Sequence, residues 1–435
     1  MANVNWPFIP APMPEITGSD GVYLEQADGR RILDAAGGAI VANIGHGRER
    51  VVTAVAEATR NTTYVVPPWI TPGRKALVEV LARDWLPSGL AHVHLTSGGS
   101  EAVETAVKLA LQYHAARGET ERGVVIARVP SYHGTTLTTA SLSGHAARKR
   151  GLEAALSVHP VVPTPNRLRL PEGVNATEAG QWYANTVAEA IEAAGPERVA
   201  AFLAEPITGS SGGALVPPDD YWPAVRAICD RYGVLLIVDE VMTGFGRTGK
   251  PFGYQHWDFE PDILVGGKGL AGGYAPLGGV FASTAIGEAI REAEMNVMFH
   301  TFGAHPAACA AAAEVLNILT EENLVERAAL MGEKLQNALR DRLGQHPHVA
   351  EVRGRGLLQA VEIVADRDSL EPFPEADGIS GRIVAEGLKE GVFFYGGGTG
   401  DYRDVVCMGP PFIIEDEHVA VMADTLATAI NRAVA

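Results

Sequence analysis

Leu235-Leu236-Ile237-Val238-Asp239-Glu240 runs four apolar residues directly into two acids. A short, unbroken apolar run reads as a strand buried on both faces, the kind that parallel sheets use. The acids then fall at its carboxyl end, the edge where open α/β sheets take their ligands. Working outward, similar runs recur at Val93 to Thr96, Val124 to Val129, Val199 to Ala204, Ile263 to Val265 and Gly279 to Ala282, mostly alternating with helical patterns. Strands interleaved with helices predict an α/β fold with a large, mostly parallel, doubly wound sheet.

The pattern changes on either side of this region. Residues 1–50 are rich in Pro and Gly and carry a hairpin-like stretch, Gly21 to Asp34, with turn chemistry at Ala27-Asp28-Gly29-Arg30. They read as an arm joining a small domain. Residues 51–310 form the expected large domain. Residues 311–435 bring long helices (Ala311 to Leu319, Leu324 to Leu343), short strands around Val349 to Val364 and Gly391 to Tyr395, and a last amphipathic helix from about Glu415 to Ala433. This is the pattern of a smaller α+β domain. No repeat or flexible linker separates the parts.

Composition excludes several classes. The 435 residues allow two or three domains at roughly 150 residues each. With 46% hydrophobic and 20% charged residues, the chain is ordinary globular protein. Its 52 acids against 35 Lys and Arg leave a net charge of −17, the wrong sign for nucleic acid or an anionic membrane surface. The N-terminus lacks an export signal, and no 18-residue apolar run follows. Cys229, Cys309 and Cys407 are too dispersed for a CxxC motif and read as buried thiols of a cytoplasmic protein. His92 and His94 alternate on one strand without a third ligand at matching spacing, so no metal site is expected.

The sharpest local signal is Thr96-Ser97-Gly98-Gly99-Ser100-Glu101-Ala102, after one strand and at the start of a helix. A glycine pair and free helix-start amides make an anion cradle. Taken alone, the stretch reads equally well as a turn in which Ser100 caps the helix. It is not a Walker loop: Gly266-Gly267-Lys268 is followed by Gly269, without the required hydroxyl. Gly396-Gly397-Gly398 lacks the following helix of a dinucleotide fingerprint. Lys268 sits among glycines just after an apolar run, with room beside its amine for a bulky group. Lysines are mostly surface residues, but this position favours a Schiff-base role. Ser131-Tyr132-His133-Gly134 adds an aromatic residue. A phosphate cradle, a strand-end carboxylate, an amine and a flat partner together match the needs of pyridoxal 5'-phosphate.

The chain resembles a class III aminotransferase of pyridoxal-phosphate fold type I, nearest to the omega-amine:pyruvate transaminases. The resemblance extends from Asp34-Ala35-Ala36-Gly37-Gly38 and Asn43-Ile44-Gly45-His46-Gly47 to Gly409-Pro410-Pro411-Phe412. It is most specific at Asp239-Glu240-Val241-Met242-Thr243-Gly244-Phe245-Gly246-Arg247-Thr248-Gly249 and Lys268-Gly269-Leu270. It implies that Gly99 and Ser100 hold the phosphate, Tyr132 stacks on the ring, Asp239 pairs with the ring nitrogen and Val241 packs on the opposite face. Lys268 would carry the cofactor, with His133, Glu205 and Met242 beside it. Thr301 would reach the phosphate of a partner subunit, which implies a homodimer with shared sites.

Substrate positions implied by the resemblance are Ala39, Ile40, Trp69 and Arg403. Met242 stands where relatives acting on ornithine or 4-aminobutyrate carry Gln, and Ala39-Ile40 stand where many amine:pyruvate enzymes carry Leu-Trp. The loss of volume at Ala39-Ile40 implies a wider pocket, and together with Met242 it favours a bulky or long primary amine lacking a carboxylate beside the reacting carbon. The arginine that binds substrate carboxylate in many such enzymes is replaced by Gly400, leaving Arg403 or Arg355 as candidates. The implied reaction is ping-pong transfer of an amino group from a primary amine to a keto acid, with pyruvate the expected acceptor. A decarboxylase, phospholyase or aminomutase on the same scaffold is the alternative.

Overall fold

The computed structural model describes residues 14–435. The first part of the expected arm, residues 1–13, lies outside the described residues. A seven-stranded sheet organises the larger part of the chain. Its spatial order is His92–Thr96, Gly278–Ala282, Ile263–Gly266, Leu235–Asp239, Val199–Ala204, Val124–Val129 and Val161–Pro163. The pairs among the last five strands are parallel. Gly278–Ala282 runs antiparallel to both of its neighbours. The reason is length: Gly267 to Leu277 is too short a segment for the crossover that a parallel return needs.

Strand periodicity divides the core between the two sheet faces. Ala201, Leu203, Leu235, Ile237, Ile263 and Val265 pack on one side with Ala102, Val103, Ala106 and Ala110 of the helix Gly99–Ala116. Phe202, Ala204, Leu236, Val238 and Leu264 belong to the other side, with Tyr183, Val187 and Ile191 of Ala179–Ala194 and Trp222 and Val225 of Tyr221–Tyr232. Covering both faces explains why these strands are unbroken apolar runs rather than alternating ones.

The C-terminal part builds an antiparallel sheet ordered Val349–Arg355, Leu358–Ile363, Val405–Met408 and Tyr395–Gly397. The helices Leu324–Leu343, Ile379–Lys389 and Asp416–Val434 pack with it. A third sheet contains Ile16–Asp20, Tyr23–Gln26 and Arg31–Asp34, and Val392–Phe393 joins it in parallel. The early chain is thus hydrogen-bonded to the C-terminal part. Arg247 adds a second tie. Its buried guanidinium donates to the carbonyls of Ala42 at 2.7 Å, Pro410 at 2.6 Å and Leu357 at 3.2 Å. Burial without a carboxylate in contact pulls its pKa down to about 9.

Candidate active site

The carboxyl ends of the parallel strands open onto a cavity of about 180 Å³. Asp239 ends its strand there, held from two sides: its Oδ1 accepts the Val241 amide at 3.0 Å, and His133 Nδ1 lies 2.8 Å from its Oδ2. Both side chains are buried, so the carboxylate has one fixed orientation. Glu205 follows the neighbouring strand, and its Oε1 accepts the Gly209 amide at 2.9 Å. Its Oε2 has no hydrogen-bond partner, and burial raises its pKa, with Asp239 adding to the effect.

Lys268 lies on the same rim, just beyond Ile263–Gly266, with a backbone φ of 40°. This left-handed conformation is strained for any residue with a Cβ, and such strain clusters at functional sites. Burial lowers the Lys268 pKa to about 8, opposed by the charges of Asp239 and Glu205 and assisted by those of Arg247 and Arg148. The shift brings the unprotonated amine, which a nucleophile or base requires, much closer to neutral pH.

At the helix start, two glycines are required by space. A Cβ on Gly99 would come within 2.9 Å of Val241, and one on Gly134, where φ is +136°, within 2.6 Å of Ser100 Oγ. Ser100 Oγ also accepts the Thr135 amide at 3.1 Å, locking the Tyr132 to Thr135 turn onto the helix N-terminus. The first amides of Gly99–Ala116 lack intrahelical acceptors and so can receive an anion.

The cavity gathers nine of the expected residues: Gly99, Ser100, Tyr132, His133, Glu205, Asp239, Val241, Met242 and Lys268. Gly134 and Ser210 complete its lining and were not singled out in the sequence. Gly134 was readable from the Tyr-His-Gly turn, and Ser210 from the small-residue run Gly209-Ser210-Ser211-Gly212-Gly213 after Glu205. Thr301, Ala39, Ile40, Trp69 and Arg403 are not part of the lining. Ile40 is buried, and a Cβ on Gly409 would stand 2.6 Å from it. Trp69 is 66% exposed, and Thr301 and Ala39 are exposed as well. Arg403 lies beside Asp404, with its Nε buried and unpartnered.

These residues fit pyridoxal phosphate. An amine, an oriented carboxylate, a helix-start cradle opened by Gly99 and Gly134, and an aromatic ring share one cavity. The unpartnered Glu205 Oε2 and His133 Nε2 leave polar valence there as well. Among the described residues, no group of three His, Cys, Asp or Glu could hold a metal. No described helix is long and apolar enough to cross a membrane.

Residues 10–430 match the aminotransferase class-III family. The putrescine–pyruvate aminotransferase of Pseudomonas aeruginosa is 34% identical over 93% of this chain and 87% of its own length. The (S)-enantioselective omega-transaminase of Thermomicrobium roseum superposes with a TM-score of 0.91 at 36% identity, over 97% of this chain and 93% of that one. The omega-transaminase of Pseudomonas jessenii, solved in complex with PMP, superposes with a TM-score of 0.91 at 31% identity, over 97% and 93%. The sheet order, the cavity and these likenesses agree: the chain belongs to the class III aminotransferases, which depend on pyridoxal phosphate.

Proposed function

We propose that this aminotransferase takes the amino group of a primary amine lacking a carboxylate beside the reacting carbon and passes it to a small keto acid, with pyruvate as the acceptor. One observation carries the donor class: among the described residues, no arginine or lysine other than Lys268 lines the cavity. A second donor carboxylate would enter without a fixed partner, which costs binding energy. The putrescine–pyruvate relative supports both halves of the assignment.

Pyridoxal phosphate, when bound, supplies an aldehyde that condenses with amines and a ring that withdraws electrons from the adjacent carbon. The protein's part follows from its own residues. Lys268 would hold the cofactor through its Nζ, and once free the same Nζ would accept and return a proton as base and as acid, a role suited to a pKa of about 8. Asp239, oriented by Val241 and His133, would present its carboxylate to the ring nitrogen. Gly99 and Ser100 receive the phosphate, while Tyr132 and Val241 bound the ring.

The same reading includes a homodimer in which Thr301 reaches the partner's phosphate. Exposed apolar residues around it favour an interface: Phe302 is 61% and Met298 78% exposed, and Tyr64 packs edge-on against Phe302. Ala39, Ile40, Trp69 and Arg403 belong to the proposed substrate path beyond the cavity. The division at about residues 50 and 310 into an arm, a large domain and a small domain is proposed too, supported by the three separate sheets. A panel of amines and acceptors with product identification tests the function. Parallel double-reciprocal plots and faster turnover of bulky or long primary amines than of ornithine or 4-aminobutyrate are expected. Preference for either of those amino acids, or release of carbon dioxide or phosphate, would overturn it.

A further inference from the structure

A second cavity, of about 290 Å³, lies where the strand Val349–Arg355 and the helix Leu324–Leu343 meet the loop at Asn166 and the segment at Leu215. Its surroundings are cationic although the chain carries −17 overall. Two of the guanidinium groups here are satisfied internally. Arg353 pairs with Glu362 and, at 3.0 Å, with Glu351, and gives its other donors to the carbonyls of Gly212 and Gly213. Arg169 pairs with Glu362 at 2.5 Å. Three more, Arg167, Arg340 and Arg355, line the cavity, and the ion pairs they make involve a single carboxylate that lies outside the lining. That carboxylate is Asp219, 3.1 Å from Arg167 and 3.7 Å from Arg355, with its own side chain 80% exposed. Arg340 has no ion pair among the described residues. Five guanidinium groups therefore face three carboxylates, a surplus of two positive charges.

The unsatisfied hydrogen-bonding atoms of the lining are also donors. Asn166 is 1% exposed, and its Oδ1 accepts the amides of Leu168 at 2.8 Å and Arg169 at 3.1 Å, which prevents the side-chain amide from turning over. Its Nδ2 is left without an acceptor, as is Arg355 Nε. No buried side-chain acceptor on the lining lacks a donor. Buried donors without partners are costly, and guanidinium forks match phosphate geometry.

We propose that this cavity binds a phosphate-type dianion, either orthophosphate or the phosphate group of a small metabolite, at a site separate from the cofactor cavity. Its position gives it a route to that cavity. The loop that contributes Leu215 begins at Glu205 and passes through Ser210, both of which line the cofactor site, and Arg353 grips it at Gly212 and Gly213. A dianion held by Arg340 and Arg355 would bridge the helix Leu324–Leu343 and the strand that carries Arg353, and the unpartnered Asn166 Nδ2 would add the facing loop.

The test is calorimetric titration of holoenzyme whose cofactor has been fixed by borohydride, so that added phosphate cannot enter the cofactor cradle. Orthophosphate, glycerol phosphate and succinate are each compared with chloride at matched ionic strength. Saturable binding of a phosphate species is expected, weakened at least about tenfold in Arg340→Gln and in Arg355→Gln. Arg340 is exposed and unpaired, so Arg340→Gln should unfold at the parent temperature, which separates lost binding from lost fold. Tighter glycerol phosphate identifies a phosphomonoester, and tighter orthophosphate identifies the free ion. Absence of saturable heat, equal binding of succinate or chloride, or unchanged affinity in both glutamine variants would overturn the proposal.

Discussion

Replacing Lys268 by methionine should stabilise the cofactor-free protein, and the gain should vanish at high pH. Methionine has similar length and shape but needs no hydration, so packing is largely kept. The magnitude follows from the amine's environment: its pKa falls from an ordinary 10.5 to about 8 because it is enclosed by protein. At 1.36 kcal/mol per pH unit, the charged form costs the folded state at most about 3 kcal/mol. This is an upper bound, since part of the residue remains open to the cavity. The sign follows from proton binding. Between pH 8 and 10.5 the unfolded chain holds the proton that the folded chain has released, so parent stability rises with pH across that window. Below pH 8 the penalty is fully present, and above 10.5 both states are neutral and it is gone. Denaturant unfolding of parent and Lys268→Met, each stripped of cofactor, reads the difference at pH 7, 9 and 10.5. A gap of one to about 3 kcal/mol at pH 7 that closes on alkalinisation is expected. No gap, or one independent of pH, would refute the claim that the fold holds this amine in an unfavourable state for function.

Asp239→Asn should still bind cofactor but lose at least about a hundredfold in the amine half-reaction, since an amide cannot supply the charge facing the ring nitrogen. Cofactor absorbance and single-turnover rates separate the two effects, and parent-like rates would remove Asp239 from its role. Arg353→Met should cost about 3 to 5 kcal/mol in unfolding experiments, because Glu362 and Glu351 lose a buried partner and two loop carbonyls lose their donors. A loss below about 1 kcal/mol would show that the pair only breaks even against its desolvation. Phe302→Asp should shift sedimentation from dimer to monomer, since it places a charge in the exposed apolar group around Tyr64 and Met298. A parent protein that is already monomeric would contradict the proposed interface.

The parallel sheet was legible because each buried strand is an unbroken β-branched run. Val124–Val129 and Val199–Ala204 form over the residues expected, and Leu235–Asp239 and Ile263–Gly266 differ by a residue at an end. The edge strand Val161–Pro163 was not: three residues ending in proline carry no periodicity. Val405–Met408 and the helix Ile379–Lys389 also escaped. The strand is a short central run of the C-terminal sheet, and the helix has Gly381 and Gly387 in its interior. In the site, residues that project from strand ends and the helix start could be named from local pattern, because the fold fixes where those points converge. The pairing of His133 with Asp239 joins residues 106 positions apart, and no local pattern carries it. His133 was singled out as a cofactor neighbour; its contact with the carboxylate emerged only from the fold. Whether Ile40 and Trp69 meet the proposed substrate path depends on loop geometry that spacing does not encode.

The most direct test of the account is chemical: reduce the purified, coloured protein with borohydride, digest it and map the modified peptide. The account predicts loss of the visible chromophore and stoichiometric attachment of the cofactor to Lys268, in the peptide containing Val265-Gly266-Gly267-Lys268-Gly269-Leu270, because only an imine is fixed in this way. Attachment at another lysine, or full turnover by Lys268→Ala, would contradict it.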